Sequence, residues 1–227
     1  RRILVKEGEG AVLPPLPFFT GVNKFMSKIF VEYDQVRNNS LKLAHNIHRD
    51  GFVPDVIYVL LRGGAYIGNV ISEYFKIVRR GERPVFYAAV VARSYTDIHQ
   101  RSQVRIDGWT YKPEYLRTGD KVLLVDDIYD SGTTMSFLGE VIMSHGIPRE
   151  DLKIAVHDYK VFTYQESKMT VTPDYYCRKH TIDSPEEDVW IHYKSHEFVG
   201  LTEEEYRKNY SYTDEEFTDI LKKQLFI

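Results

Sequence analysis

Val122-Leu-Leu-Val-Asp-Asp-Ile-Tyr-Asp-Ser-Gly-Thr-Thr134 is the stretch on which the reading of the chain turns. Four apolar residues, Val122 to Val125, have the β-branched, unbroken character of a strand buried on both faces. Two carboxylates, Asp126 and Asp127, stand at its carboxyl end. A short polar loop, Asp130 to Thr134, then opens a helix expected over Thr134 to His145. Open α/β sheets take ligands at that place, beyond the carboxyl ends of their strands. Gly132 can adopt backbone angles closed to other residues, which lets successive N–H groups converge on one anion. The helix start adds partial positive charge, and Ser131, Thr133 and Thr134 add hydroxyl donors. Asp126 and Asp127 have the opposite preference: they accept hydrogen bonds from sugar hydroxyls or hold a hydrated Mg2+. A phosphate cradle beside a diol grip describes a ribose phosphate. The Gly-x-x-x-x-Gly-Lys-Ser/Thr pattern of a nucleoside triphosphate loop is absent.

The flanking sequence alternates strands and helices. Residues 24–49 carry Phe25, Ile29, Val36, Leu43 and Ile47 at helical spacing, with Gly51 and Pro54 as the stop. Asp55 to Leu61 is a second buried-strand run. Gly63 and Gly64 follow, then a helix from Ala65 to Arg79. Pro84 to Ala92 reads as a strand, Arg93 to Trp109 as a polar loop, and Leu152 to His157 as a further strand. Such alternation predicts an α/β fold with a mostly parallel central sheet flanked by helices. The tail is different: Val189 to Tyr193 is strand-like, and Thr202 with Glu205 and Thr213 with Glu216 form two Thr-x-x-Glu capping boxes. It reads as a small lobe over the sheet, or as two packing helices without functional duty.

Composition bounds the partners. The 227 residues are 43% hydrophobic and 28% charged, with a formal net charge of −3, so no electrostatic footprint for nucleic acid is present. No apolar run approaches the ~20 residues of a membrane helix. Arg1 to Pro17 has no continuous apolar core of the secretory kind, and no initiator Met precedes it. The single cysteine, Cys177, excludes an internal disulfide and agrees with a cytoplasmic location. No Cys/His spacing of a structural zinc site occurs.

The central stretch resembles the signature of type I phosphoribosyltransferases, which bind 5-phosphoribosyl-1-pyrophosphate (PRPP): an apolar strand, two acids, two variable residues, then Asp/Thr-Ser/Thr-Gly-x-Thr. The resemblance extends over about residues 30–200 and is closest to the 6-oxopurine enzymes, those for hypoxanthine, guanine and xanthine. It implies that Asp126 and Asp127 contact the ribose hydroxyls directly or through Mg2+, and that residues 130–134 hold the 5-phosphate. Asp130 would manage the proton at purine N7 as general base, or would simply cap the helix. Leu61-Arg62-Gly63-Gly64 resembles the pyrophosphate loop, in which Arg62 and Gly63 meet the leaving group and the peptide before the basic residue is often cis. Arg93-Ser94-Tyr95 resembles the start of a flexible loop that closes over PRPP. Lys160 and Asp188-Val-Trp-Ile191 resemble the hood that reads the base: Lys160 for O6, Trp190 for the ring face, and the Ile191 backbone for the purine edge. Lys160 as a surface lysine and Trp190 as a core aromatic are the structural alternatives. Glu197 stands near the place of a second metal ligand, although the family's proline-aromatic-acid ending is replaced here by Tyr193-Lys-Ser-His-Glu197.

The expected organisation is a domain over residues 24–200, with its hood at about 160–197, an N-terminal arm at 1–23 and C-terminal helices at 201–227. The resemblance implies transfer of a phosphoribosyl group from PRPP to a 6-oxopurine with Mg2+ as cofactor, by a homodimer or homotetramer. A PRPP-sensing regulator on the same fold, or a transferase for orotate, uracil or adenine, are the alternatives. Lys160 with Trp190 favours the oxopurine. Net charge and an intact pyrophosphate loop argue against the regulator.

Overall fold

The computed structural model describes residues 27–97, 100–165, 169, 171–210 and 223. The N-terminal arm and the second capping box lie outside them. In chain order the elements are β1 (Lys28–Val31), α1 (Tyr33–Arg49), β2 (Val56–Leu61), α2 (Gly64–Val78), β3 (Phe86–Asp97), β4 (Gln100–Trp109), β5 (Val122–Tyr129), α3 (Thr133–Ser144), β6 (Leu152–Phe162), β7 (Tyr175–Ile182), β8 (Trp190–Tyr193) and α4 (Glu203–Tyr210).

Six strands form the main sheet in the order β4-β3-β2-β5-β6-β7, and β1 pairs with β8 in a separate two-stranded sheet. Every pairing is parallel except β3 with β4. Strand parity explains the unbroken apolar runs. Ile57, Val59, Leu123 and Val125 pack into a core with α1 and α2. Their neighbours Val56, Tyr58, Leu60, Val122 and Leu124 pack into a second core with α3 on the opposite face. A strand covered on both sides has no polar face to display. From β2 the chain moves outward to β3, and from β5 it moves outward the other way to β6. The strand order therefore reverses between β2 and β5, and a crevice opens beyond their carboxyl ends.

Four expectations are corrected. The helix expected from residue 24 begins at Tyr33; Lys28 to Val31 is a strand, because its apolar residues pair with β8 rather than with the sheet helices. The stretch from Arg93 to Trp109 is not a loop but the β3–β4 hairpin, with Arg93 opposite Arg105. Its backbone pairs although its residue types are polar, because an antiparallel ladder extending beyond the core needs no apolar face. The strand expected to end at His157 runs on to Phe162, so Lys160 lies within β6 instead of past it. Finally, Tyr175 to Ile182, unmarked in the sequence reading, is the edge strand β7. The strands expected over residues 55–61 and 122–125 and the helices expected over 65–79 and 134–145 appear as β2, β5, α2 and α3. Thr202 and Glu205 cap α4 reciprocally: the Thr202 N–H donates to Glu205 Oε2 at 2.7 Å, and the Glu205 N–H to Thr202 Oγ1 at 3.2 Å.

Candidate active site

Two loops meet at the crevice. The loop after β2 approaches β5 so closely that its glycines admit no side chain. A Cβ on Gly63 would lie 2.3 Å from Asp127 Oδ2, and one on Gly64 would lie 2.7 Å from the Val125 carbonyl oxygen. The Leu61–Arg62 peptide is cis, as the resemblance implies. Arg62 is exposed on the wall of a cavity of about 630 Å3 shared with Asp126, Asp127 and Thr134.

The loop after β5 turns through Gly132, whose φ of +77° is left-handed and whose missing side chain leaves room for the Tyr129 ring. That ring is fixed in turn, its hydroxyl donating to the Val171 carbonyl at 2.6 Å. Ser131 is exposed, and its Oγ lies 3.2 Å from Thr133 Oγ1. The N-cap residue of α3 is Gly132, which has no side chain to cap with; the Thr133 N–H reaches Ser131 Oγ at 3.4 Å, and Asp130 is no helix cap. Asp130 is instead 56% exposed, with Oδ1 3.4 Å from the Lys160 ammonium.

The two acids at the end of β5 are held by local backbone. The Asp127 N–H donates to Asp126 Oδ1 at 2.9 Å, and the Ile128 N–H to Asp127 Oδ1 at 2.8 Å. Burial, followed by the neighbouring Asp127 charge, holds the Asp126 carboxyl well above the usual range. A hydroxyl-rich sugar or a hard cation beside this pair would relieve that cost, and oxygen donors suit Mg2+. Among the described residues, no three His, Cys, Asp or Glu side chains converge on a metal position. Asp126 and Asp127 would hold such a cation together with oxygens of substrate and water. Glu197 lines the same cavity, but its Oε2 accepts the Tyr193 N–H at 2.8 Å, and burial raises its pKa.

A smaller cavity of about 280 Å3 adjoins the first, and Trp190 and Glu197 line both. The structure brings Asp130, Lys160, Asp188 and Ile191 together on its wall. The lysine is no surface residue: its side chain is 5% exposed, and Nζ lies 2.7 Å from Asp188 Oδ1. Trp190 is half-buried, with Lys28 Nζ 5.9 Å from its ring centre. Gly200 packs so near that a Cβ there would come within 2.6 Å of the indole. Backbone parity decides what Ile191 offers. The N–H groups of Trp190 and Lys194 donate to Ser27 and Val31, so the even residues of β8 face β1. The odd residues face away, as the Tyr193 N–H does in reaching Glu197. Ile191 therefore presents its N–H and carbonyl on the side of β8 opposite β1.

Two features escaped the sequence reading. Asp158, wholly buried, accepts from His157 Nδ1 and His180 Nε2 at 2.6 Å each, from Arg178 at 2.8 and 2.9 Å, and from the Tyr193 hydroxyl at 2.6 Å. These donors outweigh its burial and hold its carboxyl far below the ordinary range. The Tyr193 hydroxyl also lies 2.9 Å from the Asp127 carbonyl, so this network braces the pair Asp126 and Asp127 from behind. The second is His196, stacked on Tyr193 with Nε2 3.2 Å from Asp127 Oδ2. Of the remaining candidates, Arg93, Ser94 and Tyr95 lie on β3, with their side chains outside the described residues.

A doubly wound sheet with an acid pair and a glycine-turned loop at its switch point defines an α/β fold with a crevice beyond the strand ends. The chain belongs to the phosphoribosyl transferase domain family, whose model matches residues 32–174. It is 25% identical over 161 residues to a protein named bifunctional protein PyrR from Halalkalibacterium halodurans, covering 66% of this chain and 82% of that one. It is 24% identical over 124 residues to the hypoxanthine-guanine phosphoribosyltransferase of Canis lupus familiaris, covering 53% of this chain and 56% of the relative. Among solved structures it shares the fold of a purine phosphoribosyltransferase from Pyrococcus horikoshii. The TM-score is 0.57 at 22% identity, over 78% of this chain and 99% of that one.

Proposed function

We propose that the protein transfers the phosphoribosyl group of PRPP to a 6-oxopurine, releasing pyrophosphate and a nucleoside monophosphate. The observation that carries the reading is the buried Lys160 ammonium, held on the wall of a small cavity that adjoins the ribose-phosphate crevice. A cation in that position suits a carbonyl oxygen of the base. The Ile191 backbone supplies a donor and an acceptor for the purine edge, and Trp190 supplies a ring face.

In this reading the amides and hydroxyls of residues 130–134 bind the 5-phosphate, and Asp126 and Asp127 bind the ribose diol. Asp126 and Asp127, with Glu197 as a further candidate, would hold Mg2+, which would supply charge neutralisation for the diphosphate. Arg62 and the amide of Gly63 take the departing pyrophosphate. As the bond from C1 to pyrophosphate breaks, a ring nitrogen of the purine forms the new bond to C1. Asp130, exposed at the mouth of the loop, accepts the proton that the purine gives up. Arg93-Ser94-Tyr95, at the head of the β3–β4 hairpin, would close over the sugar and keep water from it. Positioning and charge stabilisation supply most of the acceleration. Cytoplasmic location and a paired or fourfold assembly belong to the same proposal.

The test is pyrophosphate release with PRPP and Mg2+ against hypoxanthine, guanine, xanthine, adenine, uracil and orotate. Release with an oxopurine supports the reading. Release only with a pyrimidine or adenine would keep the transfer and overturn the base assignment. PRPP binding without release for any base would favour the PRPP-sensing regulator.

A further inference from the structure

We propose that Asp188 is a positioning residue that selects the base: it holds the Lys160 ammonium so that the small cavity accepts an oxo group and rejects an amino group. This inference rests on the reading of that cavity as the purine site. It starts from the inequality of two contacts. Lys160 Nζ lies 2.7 Å from Asp188 Oδ1 but 3.4 Å from Asp130 Oδ1. The first is a short charge-assisted hydrogen bond and the second is long, so Asp188 is the tether. Exposure points the same way. The Asp188 side chain is 21% exposed against 56% for Asp130, and the less solvated carboxylate binds the ammonium more strongly.

An ammonium has three N–H donors and no acceptor. With one donor on Asp188 and one turned toward Asp130, a third remains for a ligand in the cavity. A base with a carbonyl oxygen there completes the set. A base with an amino group would set donor against donor next to a fixed positive charge. Discrimination of this kind, through a buried polar group left unpaired, is much stronger than discrimination by shape.

The tether also joins two parts of the fold. Lys160 lies on β6 of the main sheet, whereas Asp188 immediately precedes Val189 and β8 of the smaller sheet. Its place is set by the turn at Pro185–Glu187, where the Asp188 N–H reaches the Pro185 carbonyl at 3.4 Å. The same short segment therefore carries the carboxylate that aims the lysine, the indole of Trp190 and the free backbone of Ile191. If Asp188 were only a structural ion pair, its loss would weaken every ligand alike or lower stability alone. As a selecting group it acts on the base and leaves the sugar phosphate untouched.

The experiment is titration calorimetry of the full chain with inosine monophosphate, adenosine monophosphate and ribose 5-phosphate. The wild type, Asp188→Asn, Lys160→Met and the double variant are compared. Asn keeps the shape of Asp188 and removes its charge. The wild type is expected to bind inosine monophosphate at least tenfold more tightly than either other ligand. Asp188→Asn is expected to lose about tenfold for inosine monophosphate with the ribose 5-phosphate Kd unchanged, which also shows that the variant is folded. In the Lys160→Met background the Asp188 change should cost nothing further, since its effect passes through the lysine. If wild-type inosine monophosphate binds no better than ribose 5-phosphate, the purine reading fails and this inference falls with it. If it binds better but equally well in wild type and Asp188→Asn, or if the double variant loses a further tenfold, the role of Asp188 is overturned while the purine reading stands.

Discussion

At the scale of single residues, the site is governed by what cannot be added as much as by what is present. Gly63 leaves the Asp127 carboxylate its place, because a methyl group there would lie 2.3 Å from Oδ2. Gly63→Ala should therefore raise the PRPP Kd at least tenfold with little change in melting temperature, measured by calorimetry and thermal unfolding. An unchanged Kd would mean that the carboxylate can move aside without cost. Asp130 offers a different separation of effects. It caps no helix and is exposed, so Asp130→Asn should leave PRPP binding near the wild-type level. Turnover should fall by about 10²–10⁴, the usual worth of a positioned proton acceptor. Single-turnover kinetics beside a binding isotherm would separate the two. Equal loss in both would make Asp130 a structural residue.

At the scale of elements, β6, β7 and β8 share one buried charge. Asp158 on β6 takes hydrogen bonds from Arg178 and His180 on β7 and from Tyr193 on β8. With the His157 proton on Nδ1, its Nε2 is left to accept from Asn39 of α1 at 3.1 Å, which brings a helix into the same network. Asp158→Ala strands Arg178 at a half-buried position and leaves the buried Tyr193 hydroxyl without its shortest acceptor. It should cost about 3–5 kcal/mol in urea unfolding, the range seen when one partner of a buried pair is removed. A cost below ~1 kcal/mol would mean that solvent replaces the carboxylate.

This network also marks the limit of what the sequence made legible. The strand-acid-acid-loop unit at Val122 to Thr134 was readable because its parts are contiguous and each has a local physical signature. The glycine loop at Leu61 to Gly64 was readable for the same reason, and the cis peptide before Arg62 was implied by the family resemblance. Asp158 was not readable, because three of its four partners lie 20, 22 and 35 residues away and the adjacent His157 alone announces nothing. His196 stood in a stretch visibly unlike the family's usual ending, yet its contact with Asp127 spans 69 residues. The strand β1 was taken as helix because Ile29 falls in phase with Val36, and its true partner is β8, far along the chain. Lys160 carried no sign of burial, since a lysine at a strand end is ordinarily solvated.

At the scale of the whole molecule, acid should loosen the C-terminal side first. His192 on β8 is wholly buried against α4, 3.3 Å from the Tyr210 hydroxyl, and burial lowers its pKa to about 4. The unfolded chain returns it to about 6.5 and binds the proton there. Stability from this group is complete above that value and declines as pH falls from about 6.5 toward 4, by on the order of 3 kcal/mol. Urea midpoints measured across that interval should slope accordingly, and His192→Phe should flatten the slope. A slope that is the same in wild type and variant would assign the acid sensitivity elsewhere. Below about pH 4 the protonation of Asp158 should add a second decline, because its folded pKa is depressed and its unfolded value is ordinary.

The pairing of β1 with β8 joins the start of the described chain to its far side, and Lys194 reaches Glu32 across 162 residues. On a ribosome, where chains grow at about 5–20 residues per second, the strand that receives this pairing emerges many seconds after the one that waits for it. The anion loop and acid pair belong to the earlier-made part, and β8 with Trp190 and Ile191 to the later. On the proposed function, a nascent chain halted before β8 would already hold the parts proposed to grip a sugar phosphate while lacking those proposed to read a base. In that reading, selectivity is conferred on the chain only after its grip on the sugar phosphate.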